Sequence, residues 1–154
     1  MTDEALKDNS WVEAMQEELQ EFYNLQVWEL VDLPVGKHLI GTRWVYCNKK
    51  DDRGIVIRNK VRLVAQGYTQ EEGIDYDEIF APVARLEAIR NFLAYAALEN
   101  FTVYQLNVKS AFLYGNIQEE VYVRQPPGFL HPEYPDRVFK LNKALYRLHQ
   151  APKA

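Results

Sequence analysis

The order of segments predicts an α+β domain, with a mixed or antiparallel sheet and packing helices. Three observations carry this reading. Two stretches, about 11–23 and 85–100, repeat apolar residues at the helical period. Between them, two β-rich runs flank Asp51-Asp-Arg-Gly54, a strong hairpin signal. Further strand-like runs follow the second helix, and helix, hairpin, helix and strands in succession are an α+β order. At 154 residues, the chain is long enough for one domain with a sizeable core.

In chain order, Ser10-Trp-Val-Glu13 reads as a capping box, with Ser10 as N-cap and Glu13 reaching back. Trp11, Val12, Met15, Leu19 and Phe22 then mark an amphipathic helix over about 11–23. Acids fill its other face and suit the helix dipole, so they need no functional explanation. Val27 to Leu33 is a short strand closed by Pro34 and Gly36. Ile40 to Lys49 and Ile55 to Gln66 form the hairpin, with Arg58, Lys60 and Arg62 on one face of the second strand. Val61, Leu63 and Ala65 take the other. Three cations in a row are either a solvated edge, protected by charge, or a phosphate clamp.

Gly67 to Pro82 is an irregular link whose carboxylates Asp75, Asp77 and Glu78 could gather a cation or simply make a solvated turn. Leu86, Ile89, Phe92, Leu93, Ala96 and Ala97 mark the second amphipathic helix, ended near Asn100. Val103 to Val108 is a short buried strand that stops at Lys109-Ser110-Ala111-Phe112. The end of a buried strand, followed by a turn with free N–H groups, is a common place to hold a metal or phosphate. At that end stands Asn107, an amide where such a site wants a carboxylate. Glu119 to Arg124 and Val138 to Leu141 are strands separated by a proline-rich excursion over 126–136, and Lys143 to Gln150 can begin a helix.

Composition excludes more than it assigns. With 47% hydrophobic and 26% charged residues, global disorder is excluded. The single cysteine, Cys47, has no partner within the chain, and no Cys/His cluster has zinc spacing. An intracellular, cytoplasmic setting is the default: the N-terminus lacks a signal pattern and no apolar run reaches membrane-spanning length. The net charge of −4 argues mildly against nucleic-acid binding but hides segregation. Residues 1–36 set one base against nine acids, whereas 37–68 set eight bases against two acids. Clustered bases, not the total, make a phosphate-binding surface.

Several segments, taken together, resemble the reverse transcriptase domain of Ty1/copia-type retrotransposons, of the kind abundant in plant genomes. They are Trp11-Val-Glu-Ala-Met-Gln-Glu-Glu18, Ile40-Gly-Thr-Arg-Trp-Val45 and Arg58-Asn-Lys-Val-Arg-Leu-Val-Ala-Gln-Gly-Tyr68. Gly73-Ile-Asp-Tyr76, Phe80-Ala-Pro-Val83, Asn107-Val-Lys-Ser-Ala-Phe-Leu113, Gln125-Pro-Pro-Gly-Phe129 and Lys143-Ala-Leu-Tyr146 follow in order. The resemblance implies a polymerase right hand, with residues about 11–85 as fingers and about 86–154 as the start of the palm. It implies that Arg62, with Lys60 second, grips the triphosphate of the incoming nucleotide, a role that suits the planar, always-charged guanidinium. Val108, Lys109, Ser110 and Ala111 would cradle triphosphate oxygens. Phe112 is either the aromatic beneath the sugar, filtering against a 2′-hydroxyl, or a plain core aromatic. An RNA/DNA primer–template and a deoxynucleoside triphosphate are the implied partners, and a virus-like particle the implied setting.

The implied chemistry is an in-line phosphoryl transfer helped by two magnesium ions roughly 3.5–4 Å apart. Magnesium prefers anionic oxygens, which the family draws from an aspartate at the position of Asn107 and from a later Tyr-x-Asp-Asp hairpin. Asn107 supplies one neutral oxygen, and the sequence ends before the hairpin. Arg147 stands where the family usually has glycine. The expectation is therefore a truncated, inactive copy that binds no magnesium tightly, with Asn107 a buried amide satisfied by backbone groups. Two readings stand beside it: the basic hairpin still grips nucleic acid without catalysis, or uncovered sheet edges drive self-association.

Overall fold

The computed structural model describes residues 2–78, 84–106 and 108–154, and its architecture is α+β. Helices α1 (Thr2–Ala5) and α2 (Asn9–Asn24) precede strands β1 (Trp28–Val31), β2 (Leu39–Ile40), β3 (Thr42–Lys50) and β4 (Val56–Ala65). Helix α3 (Leu86–Leu98) and strands β5 (Tyr122–Val123) and β6 (Val138–Leu141) follow. Short 3-10 turns stand at Gly67–Thr69, Ala111–Tyr114 and Ala151–Lys153. One sheet runs in the order β1-β6-β5-β2, antiparallel except for the parallel β2–β5 pair; the other is the β3–β4 hairpin.

The core sits where α2 crosses the hairpin. Met15 and Phe22 are fully buried with Val61, Leu63 and Ala65 of β4, the apolar set that strand alternation predicts. Trp28 of β1 ties its sheet to α2: its ring stacks on Phe139 of β6 at 4.1 Å and meets Phe22 of α2 at 4.6 Å. Helix α2 ends in a left-handed turn at Gln26 (φ 52°), where the Val27 N–H donates to the Phe22 carbonyl and the Gln26 N–H to Tyr23. That reversal aims β1 back under the helix.

The N-cap differs from expectation. Asp8, not Ser10, closes the helix: its carboxylate accepts from the Ser10 N–H at 2.9 Å and from the Ser10 hydroxyl at 2.6 Å. An ionised acceptor outcompetes a hydroxyl for these donors, and the helix therefore starts two residues early, leaving Glu13 too far along to reach back. The strand expected over Ile40–Lys49 is broken at Gly41 into β2 and β3. A side chain at Gly41 would overlap the Gln66 side chain, and the Gly41 carbonyl accepts from the Gln66 N–H. The hairpin turn itself is as expected, with Gly54 at φ 82° and the Asp51 carboxylate accepting from the Arg53 and Ile55 N–H groups. The strands expected over Val27–Leu33 and Glu119–Arg124 shorten to β1 and β5.

Two expectations fail beyond their boundaries. Residues 103–106 and 108 are irregular and exposed, not a buried strand; Tyr104 and Leu106 are 81% and 87% exposed. A strand needs a neighbour to receive its backbone groups, and none of the described strands lies beside this segment. No α-helix begins at Lys143. The backbone there is engaged elsewhere: Asn142 and Lys143 donate to Val27, Ala144 donates to Gly115, and the Tyr146 carbonyl accepts from Ala65. Arg147 then turns left-handed at φ 70°.

Helix α3 forms over the expected residues and closes at Asn100 (φ 56°), with the Phe101 N–H bonded to Ala96. Its apolar residues nevertheless remain exposed, among them Phe92, Leu93 and Leu98; only Ala96 is buried. Buried amides fasten the irregular segments. Gln125 donates to the carbonyls of Tyr134, Pro135 and Arg137 and accepts from His131, pinning the proline-rich excursion. Gln70 and Gln150 pair at 3.0 Å beneath the link.

Candidate nucleic-acid interface

Among the described strands, β4 pairs with β3 alone, and its other edge is capped at Leu63 by the Glu18 carboxylate and at Ala65 by the Tyr146 carbonyl. Lys60 is half-buried there, and Arg58 and Arg62 are exposed. The acidic side of α2 lies against this edge. Arg58 Nη2 is 2.6 Å from Glu17 Oε2, and Lys109 Nζ is 2.5 Å from Glu21 Oε1. Lys109 is held above the usual lysine range by that hydrogen bond and charge. Glu18, half-buried between them, has its carboxyl raised above the usual range by burial, while the Leu63 N–H, Lys60 and Arg62 pull it back. The two ion pairs and Glu18, with Lys49, Asn59 and Lys60, line a cleft of about 220 Å³.

Beside the cleft, residues distant in sequence meet. The Arg62 guanidinium lies 5.4 Å from the centre of the Tyr146 ring, and the Phe112 ring meets Tyr146 edge-on at 5.1 Å. Burial raises the Tyr146 hydroxyl above its ordinary range. The structure therefore brings Arg62 and Phe112 to one place through Tyr146, and Lys60 and Lys109 to the adjoining cleft. Ser110 is left-handed at φ 56° and leads into the turn at Ala111–Tyr114 that carries Ala111 and Phe112. Val108 is exposed. Asn107 and the Phe80-Ala-Pro-Val83 segment lie outside the described residues.

Arg147 occupies a conformation that favours glycine, and its carbonyl is packed against Gly67, where a Cβ would overlap it. Of the link's carboxylates, Asp77 and Glu78 are exposed, whereas the Asp75 side chain is 9% exposed. Asp75 accepts from the Glu71 N–H and lies 2.8 Å from His38 Nδ1, and no cluster among the described residues has the makings of a metal site. Glu17, Glu18, Glu21 and Tyr146 are the site residues that sequence reasoning missed. One signal was available. Glu18 follows Met15 by three and precedes Phe22 by four, which puts a carboxylate on the buried stripe of α2.

Among the described residues, no helix is long and apolar enough to cross a membrane. Residues 25–154 match the family model for reverse transcriptase (RNA-dependent DNA polymerase). The chain is 45% identical over 145 residues to the retrovirus-related Pol polyprotein from transposon TNT 1-94 of Nicotiana tabacum, covering 94% of the chain and 11% of that protein. It is 41% identical to the corresponding polyprotein from transposon RE2 and 42% identical to that from RE1, both of Arabidopsis thaliana. Each of these two matches covers 98% of the chain and 10% of the relative. The chain thus spans about a tenth of the length of these relatives. No solved structure matches it. The family match across most of the chain, joined to collinear relatives in plant copia-type elements, means that the chain belongs to the reverse transcriptase family and is homologous to part of the retrotransposon Pol polyprotein.

Proposed function

We propose that residues about 11–85 are the fingers and about 86–154 the start of the palm of a polymerase right hand, and that this copy holds nucleic acid and nucleotide phosphates without polymerising. The observation that carries this reading is the meeting of Arg62, Tyr146 and Phe112, drawn from three separate matched segments. In it Arg62, helped by Lys60, grips the triphosphate. Val108, Lys109, Ser110 and Ala111 approach the same phosphates, and Phe112 lies beneath the sugar.

The family implies two magnesium ions, which when bound stabilise the attacking and leaving oxygens of phosphoryl transfer. The donor set of this chain does not fit them. Asn107 offers a neutral amide oxygen in place of a bridging carboxylate, and it can neither join two metals nor offset their charge. Isothermal titration with magnesium should show no stoichiometric uptake; uptake that disappears in Asn107→Ala would overturn this.

The testing experiment is fluorescence anisotropy with a labelled RNA/DNA primer–template across a salt series. Binding should weaken linearly in log salt, and Arg58→Ala/Lys60→Ala/Arg62→Ala should weaken it and flatten the slope by up to about three. Binding that ignores both salt and these substitutions would remove the reading.

A further inference from the structure

Two of the cations that would meet phosphate, Arg58 and Lys109, are already paired with carboxylates. Three carboxylates of α2 (Glu17, Glu18 and Glu21) face Lys49 of β3, Arg58, Lys60 and Arg62 of β4, and Lys109. Two direct ion pairs stand in this array, and in both the cation is exposed. The Arg58 and Glu17 side chains are 67% and 63% exposed; in the second pair Lys109 is 76% and Glu21 35% exposed. Exposed pairs contribute little net stability and exchange readily with other ions. Glu18 differs in being held by the Leu63 N–H of β4.

We propose that Glu17 and Glu21 are displaceable counter-ions, occupying Arg58 and Lys109 in the free chain and giving way to phosphate oxygens when nucleic acid binds. The acidic side of α2 thereby sets the affinity and salt threshold of the cationic edge. This rests on the reading of that edge as a phosphate-binding surface. Its signature lies in ion release. A phosphate that binds Arg58 sheds its own condensed counter-ions, but the carboxylate it displaces collects cations from solution. Net release is therefore smaller than the number of phosphates engaged. Removing both carboxylates cancels that uptake.

The test uses the full chain, a labelled RNA/DNA primer–template, and two neutralised pairs. Glu17→Gln/Glu21→Gln should raise affinity about three- to tenfold at low salt and steepen the log affinity against log salt slope by about one to two. Glu29→Gln/Asp32→Asn removes the same charge from the β1 side, where these groups face Lys140 and Arg137. It should reproduce neither effect. Equal behaviour of the two variants would overturn the proposal, since net charge alone would then account for the gain. If instead Arg58→Ala/Lys60→Ala/Arg62→Ala leaves wild-type binding intact, the phosphate-binding reading itself fails. No binding by the wild type and Glu17→Gln/Glu21→Gln at the lowest salt fails both. Unlabelled deoxynucleoside triphosphate added to each variant separates the two phosphate sources. Competition confined to Glu17→Gln/Glu21→Gln would place a free triphosphate in the cleft and overturn displacement by backbone phosphates. Matching far-ultraviolet spectra would exclude a folding change.

Discussion

A handful of side chains decide the local geometry, and each makes a separable prediction. Asp8→Ala should destabilise the chain by about 1 kcal/mol through loss of the N-cap, while Glu13→Ala leaves the denaturation midpoint unchanged. The reverse ranking would restore Ser10 as the cap. Arg147 holds φ 70° with an exposed side chain, so Arg147→Gly should stabilise by about 1 kcal/mol in urea titration. Glu18 has a sign that can be worked out. Burial raises its carboxyl in the folded chain, so as pH rises the unfolded chain loses this proton first. Its ionisation therefore favours unfolding between the ordinary glutamate range and the raised folded value. Stability should fall with rising pH across that window, and Glu18→Gln should abolish this part of the slope. Gln retains an oxygen for the Leu63 N–H, so the comparison isolates charge.

At the scale of elements, α2 and α3 have similar sequence signals and opposite fates. Both show apolar residues at helical spacing, and both close on a left-handed residue, Gln26 and Asn100. Helix α2 lies on the hairpin, and truncating Phe22 to Ala should cost about 3–5 kcal/mol, read as a lowered denaturation midpoint. Helix α3 leaves Phe92 and Leu98 at 55% and 75% exposure. Phe92→Ser/Leu98→Ser should therefore change stability by less than about 0.5 kcal/mol per site while reducing any concentration-dependent sedimentation. A large loss of stability would mean that the face is covered in solution. Periodicity is a local property, whereas burial requires a second surface. That is why the helix over 86–98 was legible and its exposure was not.

Across the whole molecule, the core joins α2, the hairpin and strands β2, β5 and β6 of the other sheet, while α3 and residues 101–106 are largely exposed. Hydrogen exchange should follow this division. Amides of β3 and β4 should exchange at free energies near that of global unfolding, and those of α3 through smaller openings. The charge pattern also acts at this scale. The acid-rich first 36 residues and base-rich 37–68 are neighbours in sequence, and the fold presses parts of both against one cleft. Strand alternation located Arg58, Lys60 and Arg62, but nothing along the chain said that Glu17 would pair with Arg58 or Glu21 with Lys109, because that depends on where α2 lies in the folded chain.

The sequence by itself determined the α+β class, the hairpin around Asp51–Gly54, the residues of α2 and α3, and the membership in the reverse transcriptase family. These follow from period, turn chemistry and motifs, all of which are local or collinear. Tertiary structure alone decided that residues 103–106 find no sheet, that the backbone after Asn142 bonds to Val27 and Gly115 instead of coiling, and that Tyr146 brings Arg62 to Phe112. Each of these depends on which surfaces are available to satisfy a backbone group or cover a ring, and that information exists only once the chain has folded back on itself.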